Sequence, residues 1–348
     1  MKKLIFAAFA AGAMVLAGCT KTEVTKVSES RAIGFDNFVS NAVKSIDNTN
    51  DLTNFYVWGG HADVTTLFQN TEVTKVEGTW TYSPKRMWEE SKVYKFAAYS
   101  NENTNLGTVD ADNSGVVDFD YTSGQLTFTG YDASAGTKDF VYGISNESYT
   151  GAASSNTTVD FTFYHALSKV AFSFTKDASL DDIKIEIAGL KIISIHTKAN
   201  FTGNRALNSN QLAYTTWSDW AEAKSQSVLF AEDGNVLNDN KGTAASSTAL
   251  YLIPQAANAI EITFTLNTST ESNITTGLPA TKNFKVTLPA TSTTSDAACW
   301  FPGYSYIYSA EIKASTFDVE TIEFTVTDVP GFIDDNVTID DNIIISND

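Results

Sequence analysis

Residues 260–266, Ile-Glu-Ile-Thr-Phe-Thr-Leu, alternate apolar and polar side chains without a break. Successive side chains of a β-strand point to opposite faces of its sheet, so this alternation predicts a strand with one buried and one solvated face. Residues 183–187, Ile-Lys-Ile-Glu-Ile, repeat the pattern. The same alternation recurs in five further segments, at residues 159–163, 170–174, 284–288, 304–308 and 322–326.

Runs of Gly, Asn, Asp and Ser, which are typical turn residues, separate these segments. The pattern therefore predicts an all-β protein built from antiparallel β-sandwiches. A chain of 348 residues is long for a single hydrophobic core, so we expect two sandwich domains in tandem. The polar segment 175–179 marks the expected boundary, which gives domains at residues 32–178 and 179–348.

Composition narrows the range of functions. The formal net charge is −18, which argues against nucleic acid or an anionic membrane surface as a partner. The two cysteines cannot form a disulfide framework, and the three histidines leave little material for metal or general-base chemistry. We therefore expect a protein that is not an enzyme and that has no cofactor.

The N-terminus predicts export as a lipoprotein. Two lysines precede an apolar run over residues 4–15, which is too short to span a bilayer as a mature helix. Leu-Ala-Gly-Cys follows at residues 16–19, the order that a bacterial lipoprotein signal requires. Residues 1–18 are therefore expected to be removed as a signal peptide. Cys19 then becomes the first mature residue and carries the diacylglycerol and palmitate.

Residues 19–31 are polar and are expected to form a tether between the lipid and the fold. A lipoprotein carries more than one acyl chain, so its membrane anchoring is stable. The residue after Cys19 is not Asp, which in a Gram-negative bacterium favours the outer membrane. We expect a surface-exposed lipoprotein of the cell outer membrane.

One acidic segment resembles a calcium-binding loop, with Gly115 at its sixth position. Its oxygen-bearing side chains follow the alternate spacing of such a loop, at Asp110, Asp112, Ser114 and Asp118. The twelfth position, however, is Tyr121, where a bidentate Glu is needed. An ordinary turn between strands accounts for the same residues, and we expect no other metal site.

Six tryptophans suggest a second function, because an indole ring can stack on a sugar ring. Trp80 and Trp88 lie in a segment that predicts a hairpin packed into a core. Trp217 and Trp220 lie in a more loop-like segment. A glycan-binding surface is therefore an open alternative.

Several short motifs follow the lipoprotein signal in a fixed order. They are residues 32–35 (AIGF), 55–59 (FYVWG), 80–88 (WTYSPKRMW), 94–99 (YKFAAY), 161–170 (FTFYHALSKV) and 300–306 (WFPGYSY). In this order they resemble the fimbrillin family, the subunits of type V pili, and the resemblance covers nearly the whole mature chain. It implies two transthyretin-like β-sandwich domains, proteolytic removal of the first strand, and polymerisation with other pilin subunits by donor-strand exchange into a fimbrium.

The resemblance also implies a processing protease that cuts after a basic residue, and two positions match. A cut after Arg31 would remove only the tether. A cut after Lys44 would also remove the expected first strand with its apolar residues Ile33, Phe35 and Val39. Lys44 departs from the arginine of well-known major pilins, so a stalk, anchor or tip position in the fibre stays open.

The candidate donor strand is the C-terminal tail, which follows Pro330-Gly331. Val337 and Ile339 would enter the groove of a neighbouring subunit. Ile343 and Ile345 would continue on one face after a register change at residues 340–342. The same tail is alternatively an edge strand of its own C-terminal domain.

Two functions therefore remain. The first is a structural subunit of a type V pilus that polymerises by strand exchange and contributes to adhesion to a glycan or a host protein. The second is a monomeric surface glycan-binding lipoprotein of a nutrient-uptake system.

Overall fold

The computed structural model describes residues 32–39, 52–102, 104–107, 116–145, 149–150, 158–203, 215–231, 234–237, 244–256, 260–270, 277–289, 300–318 and 322–330. Most of these residues lie in strands. Two short helical elements occur among them, a 3₁₀ turn at Ala178–Leu180 and α1 at Ala314–Asp318. The prediction of an all-β fold is confirmed. Within the described ranges, no helix is long and apolar enough to cross a membrane.

The strands of the first half are β1 (Gly34–Val39), β2 (Asn54–His61), β3 (Val64–Val76), β4 (Thr79–Thr81), β5 (Val93–Ser100), β6 (Val116–Asp120), β7 (Gln125–Asp132), β8 (Val141–Ile144), β9 (Tyr149–Thr150), β10 (Thr158–His165) and β11 (Ser168–Lys176). Those that follow are β12 (Ile183–Ile195), β13 (Lys198–Gly203), β14 (Thr215–Ser218), β15 (Lys224–Ser227), β16 (Val236–Leu237), β17 (Ala245–Ser246), β18 (Leu250–Leu252), β19 (Glu261–Thr270), β20 (Thr281–Thr287), β21 (Tyr304–Ile312) and β22 (Thr325–Pro330).

These strands form four sheets in the described part of the chain. Sheet 1 has the order β1-β10-β8-β5-β2-β3-β4, with β9 beside β5, and sheet 2 has the order β14-β13-β7-β6. Sheet 3 has the order β17-β11-β21-β22, with β18 beside β11, and sheet 4 has the order β15-β12-β19-β20, with β16 beside β12. Two ladders are parallel, β1 with β10 and β11 with β21.

Strand β2 of sheet 1 is buried on both faces. All eight residues of β2 are buried, and they contribute alternately to two hydrophobic cores. Tyr56 and Trp58 pack in a core shared with sheet 2, which we call the middle core. Phe55 and Val57 pack in a second core, the first-strand core, which also contains residues of β1, β3, β5 and β10. The N-terminal half is therefore built as layers on either side of sheet 1.

Sheets 3 and 4 face each other across a third core. Alternate residues of β11 (Val170, Phe172, Phe174) and of β12 (Ile185, Ile187) are buried in it. This is the sandwich arrangement that the period-two pattern predicts, because each strand places every second side chain in the shared core. The two sheets are positioned as a β-sandwich in the C-terminal half.

The predicted domain boundary at residue 178 stays a prediction, but strand pairing crosses it at two strands. Strand β11 lies before residue 178 and pairs with β17, β18 and β21 of the second half. Strand β13 lies beyond residue 178 and pairs with β7 of the first half, for example Phe201 opposite Phe128. Strand β14 extends the same sheet. Residues 198–203 and 215–218 therefore complete sheet 2, and the chain returns afterwards to sheet 4 through β15.

A pair of glycines allows the hairpin of β2 and β3 to form. The register of this ladder shifts on both sides of Gly59, whose φ is +148°. A Cβ atom on Gly60 would lie 2.0 Å from the Val64 carbonyl oxygen, closer than any real contact. The backbone approaches so closely here that only glycine fits.

Candidate functional site

Strand β1 lies at the edge of sheet 1, where β10 is its ladder partner. Residues just before it are held by the segment that follows β4. The Ile33 amide donates to the Arg86 carbonyl oxygen (2.8 Å), and the Tyr82 hydroxyl donates to the Ile33 carbonyl oxygen (2.7 Å). Ala32 forms an isolated bridge with Met87. The two ends of sheet 1 therefore approach each other around the first-strand core.

The side chain of Phe35 occupies an aromatic slot. Its ring centroid lies 5.1 Å from Phe68, 5.4 Å from Tyr82, 5.8 Å from Phe96 and 6.0 Å from Phe161. Edge, tilted and stacked ring contacts of this kind add to the free energy gained from burial. Phe35 is 5% exposed and Ile33 is fully buried, so these two side chains fix β1 in its place.

Replacing Phe35 is expected to weaken this half of the molecule. Phe35→Ala removes a buried ring from a slot of rigid aromatic neighbours, and such changes cost about 3–5 kcal/mol of unfolding free energy. Urea denaturation of the uncleaved chain measures this cost. Val76→Ala, at a valine that is 54% exposed, serves as the control and should stay within about 0.5 kcal/mol of the parent. Equal effects of the two substitutions would contradict the assigned role of Phe35.

The slot is buried as well as apolar, and Tyr82 is 6% exposed. Burial raises the pKa of the Tyr82 hydroxyl above its ordinary value, although its contact with the Arg86 backbone opposes this shift. The hydroxyl stays neutral near neutral pH and donates to Ile33, so it secures the chain at the entrance of β1. Removing β1 together with Ile33 would take away the acceptor of the Tyr82 hydroxyl and the ring that fills the four-ring slot. It would also leave one edge of β10 without its ladder partner.

Several of the predicted site residues lie outside the described residues. These are Cys19, Arg31, Lys44, Asp110, Asp112, Ser114, Val337, Ile339, Ile343 and Ile345. Of the predicted first strand, Ile33 and Phe35 are buried as expected, and Val39 pairs with Phe163 in the β10 ladder. Asp118 is exposed in β6, and its carboxylate accepts from the Phe119 amide (2.8 Å).

Titratable side chains do not gather into a metal site in the described ranges, where no group of three or more His, Cys, Asp or Glu is found. His61 and His165 are buried in sheet 1. The Nδ1 atom of His165 lies 2.6 Å from the Asp139 carboxylate, and that of His196 lies 2.6 Å from the Ala221 carbonyl oxygen. Their positions agree with packed histidines.

The tryptophans divide by exposure. Trp58, Trp88 and Trp300 are buried, Trp80 and Trp217 are half-buried, and Trp220 is 37% exposed beside the His196 ring. Trp217 donates its indole N–H to the Ala166 carbonyl oxygen (3.2 Å), so it is part of the core boundary. Trp220 is the one exposed tryptophan among the six.

Sequence reasoning identifies β1 but does not identify the residues of its slot as a set. Phe68, Tyr82, Phe96 and Phe161 come from four separate segments, and nothing in the local pattern brings them together. Phe161 and Phe96 stand out as apolar positions of alternating strands. Tyr82 stands out only through the WTYSPKRMW motif.

Comparisons with known proteins agree with this architecture. A sequence model of the fimbrillin-like family matches residues 41–328. A fimbrial protein from Bacteroides vulgatus ATCC 8482 has a similar structure, with a TM-score of 0.60 and 19% identity over 86% of this chain and 99% of that chain. A protein from Bacteroides uniformis ATCC 8492, provisionally assigned to cell adhesion, gives a TM-score of 0.51 and 16% identity over 86% of this chain and 98% of that chain. At these identities the two structures show a shared fold. A search of the curated proteins gives no match.

Proposed function

The chain belongs to the fimbrillin-like family, and we propose that it is a fimbrial subunit that polymerises when a neighbouring subunit's strand replaces β1. The observation that carries this proposal is the position of β1 at the edge of sheet 1, with Ile33 and Phe35 buried in the first-strand core. An open sheet edge beside an apolar groove is a surface that proteins otherwise avoid. A strand from another subunit can fill it by β-augmentation, and such head-to-tail contacts build a filament.

The match to a fimbrial family supports the expectation that the chain is not an enzyme. The same match supports other fimbrial subunits as binding partners and a cell-surface appendage as the location of the chain.

Processing after Lys44 fits the geometry better than processing after Arg31. Strand β1 ends at Val39, so a cut after Lys44 leaves the whole strand on the released fragment. A cut after Arg31 would leave the bridge of Ala32 with Met87 and the buried Ile33 in place. Only the cut after Lys44 breaks the covalent link between Phe35 and the rings of its slot.

Lipidation of Cys19 is the proposed route to the outer membrane. Cys19→Ala is expected to abolish incorporation of radiolabelled palmitate and to remove the fibres, because an unlipidated chain is not delivered to the surface. Cys299→Ser is the matched control and should keep both the label and the fibres. Unchanged labelling of the Cys19 variant would contradict the assignment. An intact Cys19 in every fibre-associated copy would instead favour an anchor role.

The C-terminal tail is the proposed donor. Strand β22 runs antiparallel to β21 as the last strand of sheet 3, and Pro330 at its end is paired with Tyr304. Proline lacks an amide hydrogen, so it is suited to the end of a ladder. Eighteen residues follow Pro330 in the sequence, up to Asp348.

Trp220 is the one tryptophan whose exposure favours the glycan-binding alternative. One experiment distinguishes this alternative from the pilin. Mature protein isolated from cells is analysed on gels with and without heating in detergent. Ladders that resist detergent until heated support a strand-exchanged polymer, since a donor in the place of β1 would form a ladder of backbone hydrogen bonds with β10. A monomer that polysaccharide-containing gels retard, with no ladder, supports the glycan-binding lipoprotein.

A further inference from the structure

The exposed Trp220 lies in the segment between β14 and β15, and its two neighbours are bonded to β13. On one side, the Asp219 carboxylate accepts a hydrogen bond from the Asn200 side-chain amide (2.8 Å). On the other side, the Ala221 amide donates to the Lys198 carbonyl oxygen (2.9 Å). The backbone of Trp220 is therefore held from both directions.

The contact through Asn200 continues into sheet 2. The side-chain oxygen of Asn200 accepts from the Gly130 amide (2.7 Å), so both ends of this side chain are used. Asp219 has a φ of +48°, in the left-handed region that Asp tolerates better than most residues. Specific polar contacts therefore shape the segment, although the ring of Trp220 is not buried.

A histidine ring lies beside the indole of Trp220. The ring centroids of His196 and Trp220 are 5.4 Å apart, and the planes are inclined at 51°. The Nδ1 atom of His196 lies 2.6 Å from the Ala221 carbonyl oxygen, which only accepts, so Nδ1 carries the hydrogen. In the neutral form of this tautomer Nε2 is an acceptor, and it has no hydrogen-bond partner among the described residues. An exposed aromatic ring and an available acceptor therefore stand side by side.

We propose that Trp220, His196 and Asp219 form a binding site for a neutral β-linked glucan. A β-linked glucose ring has its hydroxyl groups around its edge and C–H bonds on both faces. One face packs on the indole, and hydroxyl groups at the edge donate to the His196 and Asp219 acceptors. This inference goes beyond the proposed fimbrial function, and binding by a single subunit does not depend on polymerisation.

The fixed backbone supports a role of Trp220 in binding. A ring that is already ordered loses little conformational freedom when a ligand stacks on it, so more of the contact energy appears as affinity. The other tryptophans are buried or half-buried, and Trp217, for example, uses its indole N–H within the protein. Trp220 differs from them because the contacts that hold its segment leave the ring exposed.

The local charge favours a neutral sugar. Residues 218–223 contain two carboxylates, Asp219 and Glu222, and no basic residue, and the chain has a formal net charge of −18. Carboxylates accept hydrogen bonds from sugar hydroxyl groups, but they repel a sugar that carries a carboxylate or a sulfate. An anionic glycan is therefore excluded from the proposal.

A single shallow site binds weakly, and the proposed fibre would compensate for this weakness. Each subunit of the fibre would carry one site, and simultaneous contacts to one polysaccharide raise the apparent affinity by a factor of about 10²–10⁴. The site therefore suits adhesion to a polysaccharide-coated surface better than capture of free sugars.

Gel retardation of the uncleaved monomer tests the ligand class. One native gel contains hydroxyethyl cellulose, which is neutral, and the other contains carboxymethyl cellulose, an anionic derivative of the same glucan. The monomer is expected to be retarded by the first polymer and not by the second. Retardation by the anionic polymer that equals or exceeds that by the neutral one, or no retardation in either gel, would overturn the proposal.

Three variants test the site in the gel with neutral polymer. Trp220→Ala is expected to raise the apparent dissociation constant at least about tenfold, because the stacking surface is lost. Trp220→Tyr keeps an aromatic ring and should recover most of the binding, which separates loss of stacking from misfolding. Leu229→Ala is the control at a side chain that is 61% exposed, and it should stay within about twofold of the parent. Equal effects of the two alanine variants, or a tyrosine variant as weak as Trp220→Ala, would overturn the assigned site.

Detergent-resistant ladders, measured in parallel, separate this inference from the proposed function. Trp220→Ala is expected to polymerise like the parent, because Trp220 does not belong to the first-strand core. A parent chain that binds the neutral glucan but forms no fibres would overturn the proposed function and support this inference. Parent fibres whose monomers bind no glucan would overturn this inference alone.

Discussion

A chain that carries Lys44→Ala is expected to reach the cell surface and to remain monomeric, whereas Arg31→Ala assembles normally. The reason is that β1 stays covalently attached in the Lys44 variant, and its Phe35 side chain keeps the aromatic slot occupied. An attached strand competes at very high effective concentration with any donor from solution. Electron microscopy and detergent-resistant ladders measure the outcome, and the predicted loss is complete.

N-terminal sequencing of parent fibres provides the complementary measurement. Subunits within the fibre are expected to begin at Ser45, directly after the cut. Fibres of the Lys44 variant that begin at Ala32 would show that only the tether is removed and that β1 remains in the polymer. In that case the groove of the first-strand core cannot be the acceptor.

Removal of residues 341–348 is expected to abolish polymerisation without lowering the thermal stability of the monomer. The deletion takes away Ile343 and Ile345 and shortens the donor to less than the length of β10. The third core is formed by described residues of sheets 3 and 4, and Val326 of β22 packs against it. Calorimetry of the monomer and gel analysis of the fibres measure the two quantities separately.

A shorter deletion serves as the control for this experiment. Removing only Asn347 and Asp348 leaves every Val and Ile of the tail, and such a chain should polymerise like the parent. If the longer deletion instead lowers the melting temperature of the monomer by several degrees, the tail is an edge strand of its own domain. The donor would then have to come from a different subunit.

The strands themselves could be predicted from sequence because their burial is one-sided. The alternation at residues 183–187 and 260–266 corresponds to β12 and β19, whose alternate residues Ile185, Ile187, Ile262 and Phe264 are buried. At the C-terminal end the agreement is partial. Ile322 and Phe324 are buried as expected, but β22 begins only at Thr325.

Other features depend on contacts between distant segments and leave no local pattern. Strand β2 has no polar face, because both of its sides are covered, so its sequence does not alternate. Strands β13 and β14 pair with β7 across the predicted boundary, and no property of residues 198–218 indicates that partner. For the candidate site, apolar residues of β1 are visible in the sequence, whereas the four rings around Phe35 meet only through the fold.

The parallel ladders of β1 with β10 and of β11 with β21 have a consequence for the order of assembly. The partners of β1 lie more than a hundred residues later in the chain, so an emerging polypeptide cannot complete this pairing until β10 has been delivered. Hairpins such as β2 with β3 and β6 with β7 join near neighbours and can form earlier. Pairing of β1 with β10 is therefore expected to follow the formation of these hairpins. If β1 docks after the other strands of its half have paired, the proposed removal of β1 would require only a replacement strand and no refolding.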